Sequence, residues 1–248
     1  MYQARSPYCL SCLTKFSLLA LLFLAVLCLP LKSEARQWSE RKLEKTVLRI
    51  DRDISRNRWD KVIKHSQKSL PQCVRLYSEQ HPTCILILKN INQAYEKTRR
   101  INPDHSQIER AYSLASEVLG KTHFTTIAAR NYYYIFLIYT KNYAPAIPLV
   151  TEMIEIEEAG SNDKFRLMER YSQLYTLEGL NGNRPAEEVA LTKVVELSAD
   201  VMGEESDYFR DAAEALAYNY CIQKKYYKFF QLIKQHKIEI SCLSKQGS

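Results

Sequence analysis

The stretch FTTIAARNYYYIFLIYTKNYAPAIPLVTEMIEIEE, residues 124–158, decides the fold. Its first half, Phe124 to Thr140, is apolar and aromatic through Ile127, Tyr133, Phe136 and Leu137. Lys141-Asn142-Tyr143 interrupts it, and a second run, Ala144 to Glu158, places Ala146, Leu149, Met153 and Ile156 near helical spacing. Two helices joined by a turn are therefore expected. The lead-in, Ala111 to His123, ends in Val118-Leu119-Gly120-Lys121-Thr122-His123, where Gly120 can take the left-handed conformation that stops a helix.

The same pattern recurs. Tyr143, which opens the second helix, has counterparts at Trp59, Ile101, Arg184 and Tyr226, in steps of 42, 42, 41 and 42 residues. The loops between units keep step at Glu79-Gln80-His81-Pro82-Thr83, Lys121-Thr122-His123-Phe124-Thr125 and Glu204-Glu205-Ser206-Asp207-Tyr208. A fixed period of this length, two helices per unit, is the signature of an all-α solenoid. About five repeats are expected, at 38–80, 82–122, 124–163, 164–204 and 207–241, within a domain of 36–248. No segment alternates like a strand. Pro71 should kink or shorten the second helix of repeat one, and Pro185 suits the first turn of its own helix. Asp207 reads as a helix cap.

Residues 1–35 read as a secretory signal. Arg5 and Lys15 lead a nearly continuous apolar run from Phe16 to Leu31, Pro30 breaks it, and Ser33-Glu34-Ala35 offers small residues for cleavage after Ala35. The competing reading is an uncleaved membrane anchor, although the apolar core falls short of the roughly 20 residues a span needs. With the signal removed, no other stretch is long and apolar enough to cross a membrane. The mature chain is thus expected in an exported compartment, either a bacterial periplasm or the secreted medium. The absence of any Asn-x-Ser/Thr acceptor leans toward a bacterial envelope.

Four cysteines remain in the mature chain: Cys73, Cys84, Cys221 and Cys242. An oxidising compartment permits disulfides. Cys73 and Cys84 flank a turn at His81-Pro82 and are the first candidates for a bridge. Cys221 and Cys242 are weaker candidates, because an intervening helix rising ~1.5 Å per residue separates them unless the tail folds back. Buried free thiols are the alternative for all four.

Charge is segmented. Residues 36–69 carry eleven Lys or Arg against five acids, residues 70–143 nine against five, residues 144–215 six against sixteen, and residues 216–248 six against one. A solvated surface is the ordinary meaning of such runs, but this arrangement could also steer an ordered partner or a second copy. Nucleic acid fits poorly, since the basic segments flank a strongly acidic block.

Leu216-Ala217-Tyr218-Asn219-Tyr220-Cys221-Ile222-Gln223-Lys224-Lys225-Tyr226 resembles the first-helix-and-turn signature of tetratricopeptide repeats: leucine and a small residue, then an aromatic, then a basic–aromatic turn. The 42-residue step and the Val-Leu-Gly-x-x-His element resemble the longer repeat of kinesin light chains. Repeat five carries the likeness best and repeat three well. Repeat four has Arg184 at the aromatic turn position, and repeat two matches mainly by spacing. The resemblance implies a right-handed superhelix whose first helices line a concave groove for peptides or protein segments. Positions two, five and nine of those helices supply the groove candidates Lys89, Gln93, Asn131, Ile135, Ser172, Thr176, Glu214 and Tyr218.

The motifs of enzymes are missing from the sequence. His65, His81, His105, His123 and His236 are scattered, and His81 and His123 fall at equivalent loop positions, as repeat residues do. No zinc spacing, phosphate-cradling loop or nucleophile elbow occurs, and no cofactor is implied. Glu152, Glu155, Glu157 and Glu158 read as a solvated helix face. Tyr132, Tyr133, Tyr134 and Tyr139 form the most informative cluster: successive side chains diverge by ~100°, so some face the core and others the groove or solvent. The expected function is that of a non-enzymatic exported scaffold binding a protein or peptide. The alternatives are an enzyme or small-ligand protein on a helical scaffold, or a membrane-anchored assembly factor. The last helix, with Tyr226, Tyr227, Phe229, Phe230, Leu232 and Ile233 beside Lys224, Lys225 and Lys228, is a candidate surface for a second copy or partner. Only Ser241 to Ser248 follow Ile240, too few and too polar for a capping helix.

Overall fold

Ten helices follow one another in a computed structural model of the chain, which describes residues 38–160 and 163–242. They are α1 (Glu40–Ser55), α2 (Trp59–Leu76), α3 (Pro82–Lys97), α4 (Ser106–Leu119), α5 (Phe124–Tyr139), α6 (Ala146–Gly160), α7 (Lys164–Leu180), α8 (Arg184–Met202), α9 (Asp207–Ile222) and α10 (Tyr226–Gln235). Among the described residues there is no strand. The signal-peptide reading lies on residues 1–35, outside the described ones. Contacts divide the chain between Glu40 and Arg41, and all that follows concerns the unit from Arg41 onward.

The sequence period is written in the backbone of the turns. Between the two helices of each pair, one residue takes a left-handed conformation: Asn57, Arg99, Lys141, Gly182 and Lys224, with φ between +52° and +79°. Each is followed by the same pair of closing bonds. Around Lys141, its own amide donates to Ile138 O at 3.0 Å and the next amide, of Asn142, donates to Leu137 O at 2.8 Å. The other four turns repeat this arrangement. It satisfies carbonyls the helix end would leave open and reverses the chain with no long loop.

The turns into the next pair are equally regular. Ser78, Gly120 and Gly203 have positive φ, and three residues after each comes the residue capping the next helix. His81 Nδ1 accepts from Thr83 N and His123 Nδ1 from Thr125 N, both at 3.2 Å. Asp163 and Ser206 cap α7 and α9 through Arg166 N and Phe209 N. The two loop histidines are thus helix caps. The cap of α9 is Ser206, where the sequence suggests Asp207; Asp207 is instead the first helical residue.

Burial runs along the chain as linked clusters, each joining neighbouring helices. Ile50, Val62, Ile63 and Ala94 tie α1, α2 and α3. Ile85, Leu88, Ala111, Leu114, Ala115 and Ala129 tie α3, α4 and α5. Leu137, Leu149, Val150, Met153, Leu167 and Leu177 tie α5, α6 and α7. Met168, Leu191, Val194, Phe209, Leu216 and Phe229 tie α7 to α10. Small residues such as Ala111, Ala213 and Ala217, fully buried, let helix axes approach while the large ones fill the grooves. Pro71 sits inside α2 without ending it, so neighbouring packing holds the helix through the bond proline cannot make.

Two disulfides pin the ends of helices. Cys73 in the last turn of α2 joins Cys84 in the first turn of α3, with Cα atoms 5.6 Å apart. Cys221 joins Cys242, Cα atoms 5.7 Å apart, because the chain after α10 does fold back along α9. On the way Ile238 is buried and Ile240 packs on the same cluster. Residues 236–242 therefore cover part of the face that the sequence leaves without a cap.

Candidate concave site

The C-terminal halves of α3 and α5, the first helices of adjacent pairs, line a cavity of about 290 Å³. Its walls are Tyr95 of α3 with Tyr132, Ile135, Phe136 and Tyr139 of α5, and its floor is Ile101, Asn102 and Ile108. The Asn102 side chain of that floor is tied down at both ends, its Oδ1 accepting from Asp104 N at 3.1 Å. Asn102 Nδ2 donates to Asn92 Oδ1 at 2.8 Å, and Asn92 Nδ2 donates to Gln107 O at 3.1 Å. What the cavity offers an incoming group is mostly carbon. Ile135 is 48% exposed and Tyr139 72%.

Charge stands at the edges. Arg100 lies over the Tyr95 ring, 5.7 Å from its centre, and pairs with Asp60. Arg99, exposed at the left-handed turn position, also lines the cavity. Glu96 places one carboxylate oxygen, Oε2, where water does not reach; no hydrogen bond meets it, and Lys97 Nζ lies 3.4 Å away as its ion-pair partner. Burial, and next the charge of Glu96, push the Tyr132 hydroxyl up to about 12, so this wall stays neutral.

The eight groove candidates do not converge on one site. Ile135 lines the cavity, and Asn131 lies exposed one turn before it on α5. Lys89 is buried, where the sequence suggests an accessible groove position. Its Nζ donates to Gln93 Oε1 at 3.2 Å, and desolvation lowers its pKa against the opposing pull of Asp51. Ser172 bridges to Tyr208 Oη at 2.6 Å, and Thr176, exposed, bonds back to Ser172 O. Glu214 is half-buried and Tyr218 is 39% exposed on α9.

Tyr95, Phe136 and Arg99 are cavity residues the sequence reading does not select. Tyr132 and Tyr139 are there in the tyrosine cluster, and the structure sorts that cluster. Tyr132 faces the cavity, Tyr133 stacks on Tyr112 with centroids 6.1 Å apart, and Tyr133 and Tyr134 pack against the α5–α7 core.

Glu152 requires a correction. It is buried rather than on a solvated face. Arg130 Nη1 donates to it at 2.6 Å, Tyr112 Oη at 2.9 Å, and Lys121 Nζ lies 3.3 Å away. Burial opposes its ionisation, yet the bonds from Tyr112, Arg130 and Lys121 outweigh it and hold the carboxyl below its ordinary value. Glu155 and Glu158 are exposed, as a solvated face requires.

Among the described residues no group of three His, Cys, Asp or Glu side chains could hold a metal ion, and no helix is long and apolar enough to cross a membrane. The molecule is thus an all-α solenoid with an apolar hollow between successive first helices. No known family profile and no curated protein matches the sequence. Solved structures do match the fold. A Podosopora anserina kinesin-light-chain-type protein of nearly identical TPR-like repeats superimposes with a TM-score of 0.52 at 13% identity, over 79% of this chain and 93% of that one. A second structure of that protein gives the same values. BtubC (BKLC) from P. vanneervenii gives 0.48 at 12% identity over 79% of each chain. The fold is a tetratricopeptide-like helical repeat.

Proposed function

We propose that this protein is a non-enzymatic, exported scaffold whose concave face holds a segment of a partner protein or peptide. The cavity between α3 and α5 carries this reading. Exposed aromatic and aliphatic walls over a hydrogen-bonded floor suit a bulky apolar side chain from a partner, and such anchors supply most of the affinity at protein interfaces. An enzyme would need converging ionisable groups in a closed site. This cavity is open, with Glu96, Arg99 and Arg100 at its edges. Export is supported by the apolar N-terminal run of the sequence and fits the two disulfides.

The test is affinity capture from an envelope extract with wild-type protein, Ile135→Glu and Tyr139→Ala, quantified by mass spectrometry. A partner retained by wild type and lost from both variants, with helicity unchanged, supports the reading. Equal capture by all three would sink it. N-terminal sequencing of the exported protein should begin near Arg36; an intact Met1 would favour the membrane-anchored alternative.

A second surface is favoured by exposure alone. Tyr227 is 82% and Phe230 62% exposed on α10, while Phe229 beside them is buried. A second copy or partner at this helix would lose its grip in Phe230→Glu, read by sedimentation. Of the lysines around it, Lys225 and Lys228 are already engaged by Glu188, which leaves Lys224, Lys234 and Lys237 among the described residues to steer such contact.

A further inference from the structure

A second hollow lies between α7 and α9, the first helices of the last two pairs. Three large apolar side chains from three helices meet there while still exposed: Phe165 of α7 at 45%, Met202 at the end of α8 at 47%, and Tyr208 of α9 at 37%. Met168 closes the bottom, and the Ser172–Tyr208 hydrogen bond fixes the two first helices across it. Exposed apolar groups gathered in a concavity, rather than scattered singly, mark an interaction surface.

The charge around this hollow selects the occupant. Glu169 lines it, one helical turn after Phe165, and Asp211 follows Tyr208 by three residues on the facing helix. Neither carboxylate pairs with a cation among the described residues. Of the cations nearest in sequence, Lys164 pairs with Asp200 at 2.9 Å, Arg166 with Asp163 at 3.4 Å and Arg210 with Asp207 at 3.3 Å, while Arg170 donates to the neutral Gln173 at 3.2 Å and keeps its charge. The enclosing segment, residues 144–215, holds sixteen acids against six bases.

We propose that the α7–α9 cleft binds a cationic segment of a partner protein. The alkyl stem of a lysine or arginine lies on Phe165, Met202 and Tyr208, and its charged head reaches Glu169 and Asp211. Both ends of such a side chain need partners, and the cleft supplies carbon below and carboxylate at the lip. A plain acidic surface would hold the charge without the stem. The proposal rests on the reading of the solenoid as a binder, but it uses no residue of the α3–α5 cavity, so either can fail alone.

The probe is a short fluorescein-labelled peptide of alternating lysine and leucine, with a glutamate-for-lysine counterpart, titrated by fluorescence anisotropy against the full chain. The lysine peptide should bind, more weakly as salt rises, and the glutamate peptide should not. Phe165→Ser, which leaves charge untouched, and Glu169→Lys should each weaken binding by about tenfold, a loss of ~1.4 kcal/mol. Circular dichroism should show both variants as helical as wild type, since both side chains are exposed. Affinities within about twofold of wild type, or equal binding of the glutamate peptide, overturn the proposal. So does self-association of the protein alone that Glu169→Lys abolishes, because the occupant would then be a second copy.

Discussion

The α3–α5 cavity and the α7–α9 cleft each lie between the first helices of successive repeats, yet the partners proposed for them differ: a bulky apolar side chain in one, a cationic one in the other. One is walled by Tyr95, Tyr132, Phe136 and Tyr139 with Arg99 and Arg100 at its rim. The other is built on Phe165, Met202 and Tyr208, with Glu169 in its lining and Asp211 three residues after Tyr208 along α9. The left-handed turn and its closing bonds recur in both, but residues 98–105 separate α3 from α4 where only 181–183 separate α7 from α8, so the first cavity takes its floor from a longer linker and the rest of the difference lies in exposed side chains. A repeat architecture separates the two tasks: buried positions keep the helices in register, and exposed first-helix positions are free to diverge.

The two halves also differ in how they hold a buried charge. In the first, Arg130 and Glu152 meet with only 4% and 10% of their side chains exposed, and Arg130 keeps its Nε without a partner. In the second, Glu188 is as buried as Glu152, but its lysines are not: Lys225 is 38% and Lys228 53% exposed. The enclosed pair should be the harder to lose. Arg130→Met strands the Glu152 carboxylate, with only Tyr112 and the half-exposed Lys121 left to it, and should lower unfolding free energy by about 3 kcal/mol. Glu188→Gln leaves lysines that water can take over, and should cost roughly a third of that. Urea melts of the two variants measure the contrast, and equal losses would mean that enclosure is irrelevant here.

Acid sharpens the same contrast. The bonds from Lys225, Lys228 and Gln223 outweigh burial and hold Glu188 below its ordinary value, as the bonds from Tyr112, Arg130 and Lys121 do for Glu152. Both carboxyls have folded pKa values below their unfolded ones. Each therefore adds stability that is complete above the ordinary carboxylate range, about pH 4.5, and fades as pH falls through the depressed value. Stability of the wild type should drop on acidification below that point, and Glu188→Gln should drop less steeply. Parallel slopes across this window would show that Glu188 titrates alike in both states.

How far the sequence carries follows from the same division. The period is legible because Trp59, Ile101, Tyr143, Arg184 and Tyr226 each sit two residues after a left-handed turn, and backbone geometry recurs even where side chains do not. The all-α solenoid could therefore be read from spacing. The cavity was only half legible. Tyr132 and Tyr139 stood out as a cluster, but which of four tyrosines leaves the core depends on a rotation of one residue along α5. The same uncertainty put Lys89 in the groove, although the packing of α3 buries it. Glu152 was misread because amphipathic spacing places a residue on a face without saying that Arg130, twenty-two positions earlier, lies opposite. The fold-back of the tail to Cys221 depends on Ile238 finding a place on the α7–α10 core, which no local pattern announces.

The smallest expected effect compares the turns themselves. Lys141 joins α5 to α6 and Gly182 joins α7 to α8, in the same left-handed conformation with the same two closing bonds. For a residue with a side chain that conformation costs roughly 1 kcal/mol or more, and glycine is free of it. A methyl group at Gly182 would meet nothing within 4 Å, so Gly182→Ala isolates the backbone term from any clash. It should lower stability by about 1 kcal/mol. Lys141→Gly should do the reverse, with the gain reduced by the greater freedom glycine brings to the unfolded chain, leaving about half of that figure. Chemical denaturation with unchanged slopes would isolate both shifts. If Lys141→Gly destabilises, the lysine contributes more than its backbone shape. Asn57, Arg99 and Lys224 would then have to be tested for the same contribution before the five turns could be treated as equivalent.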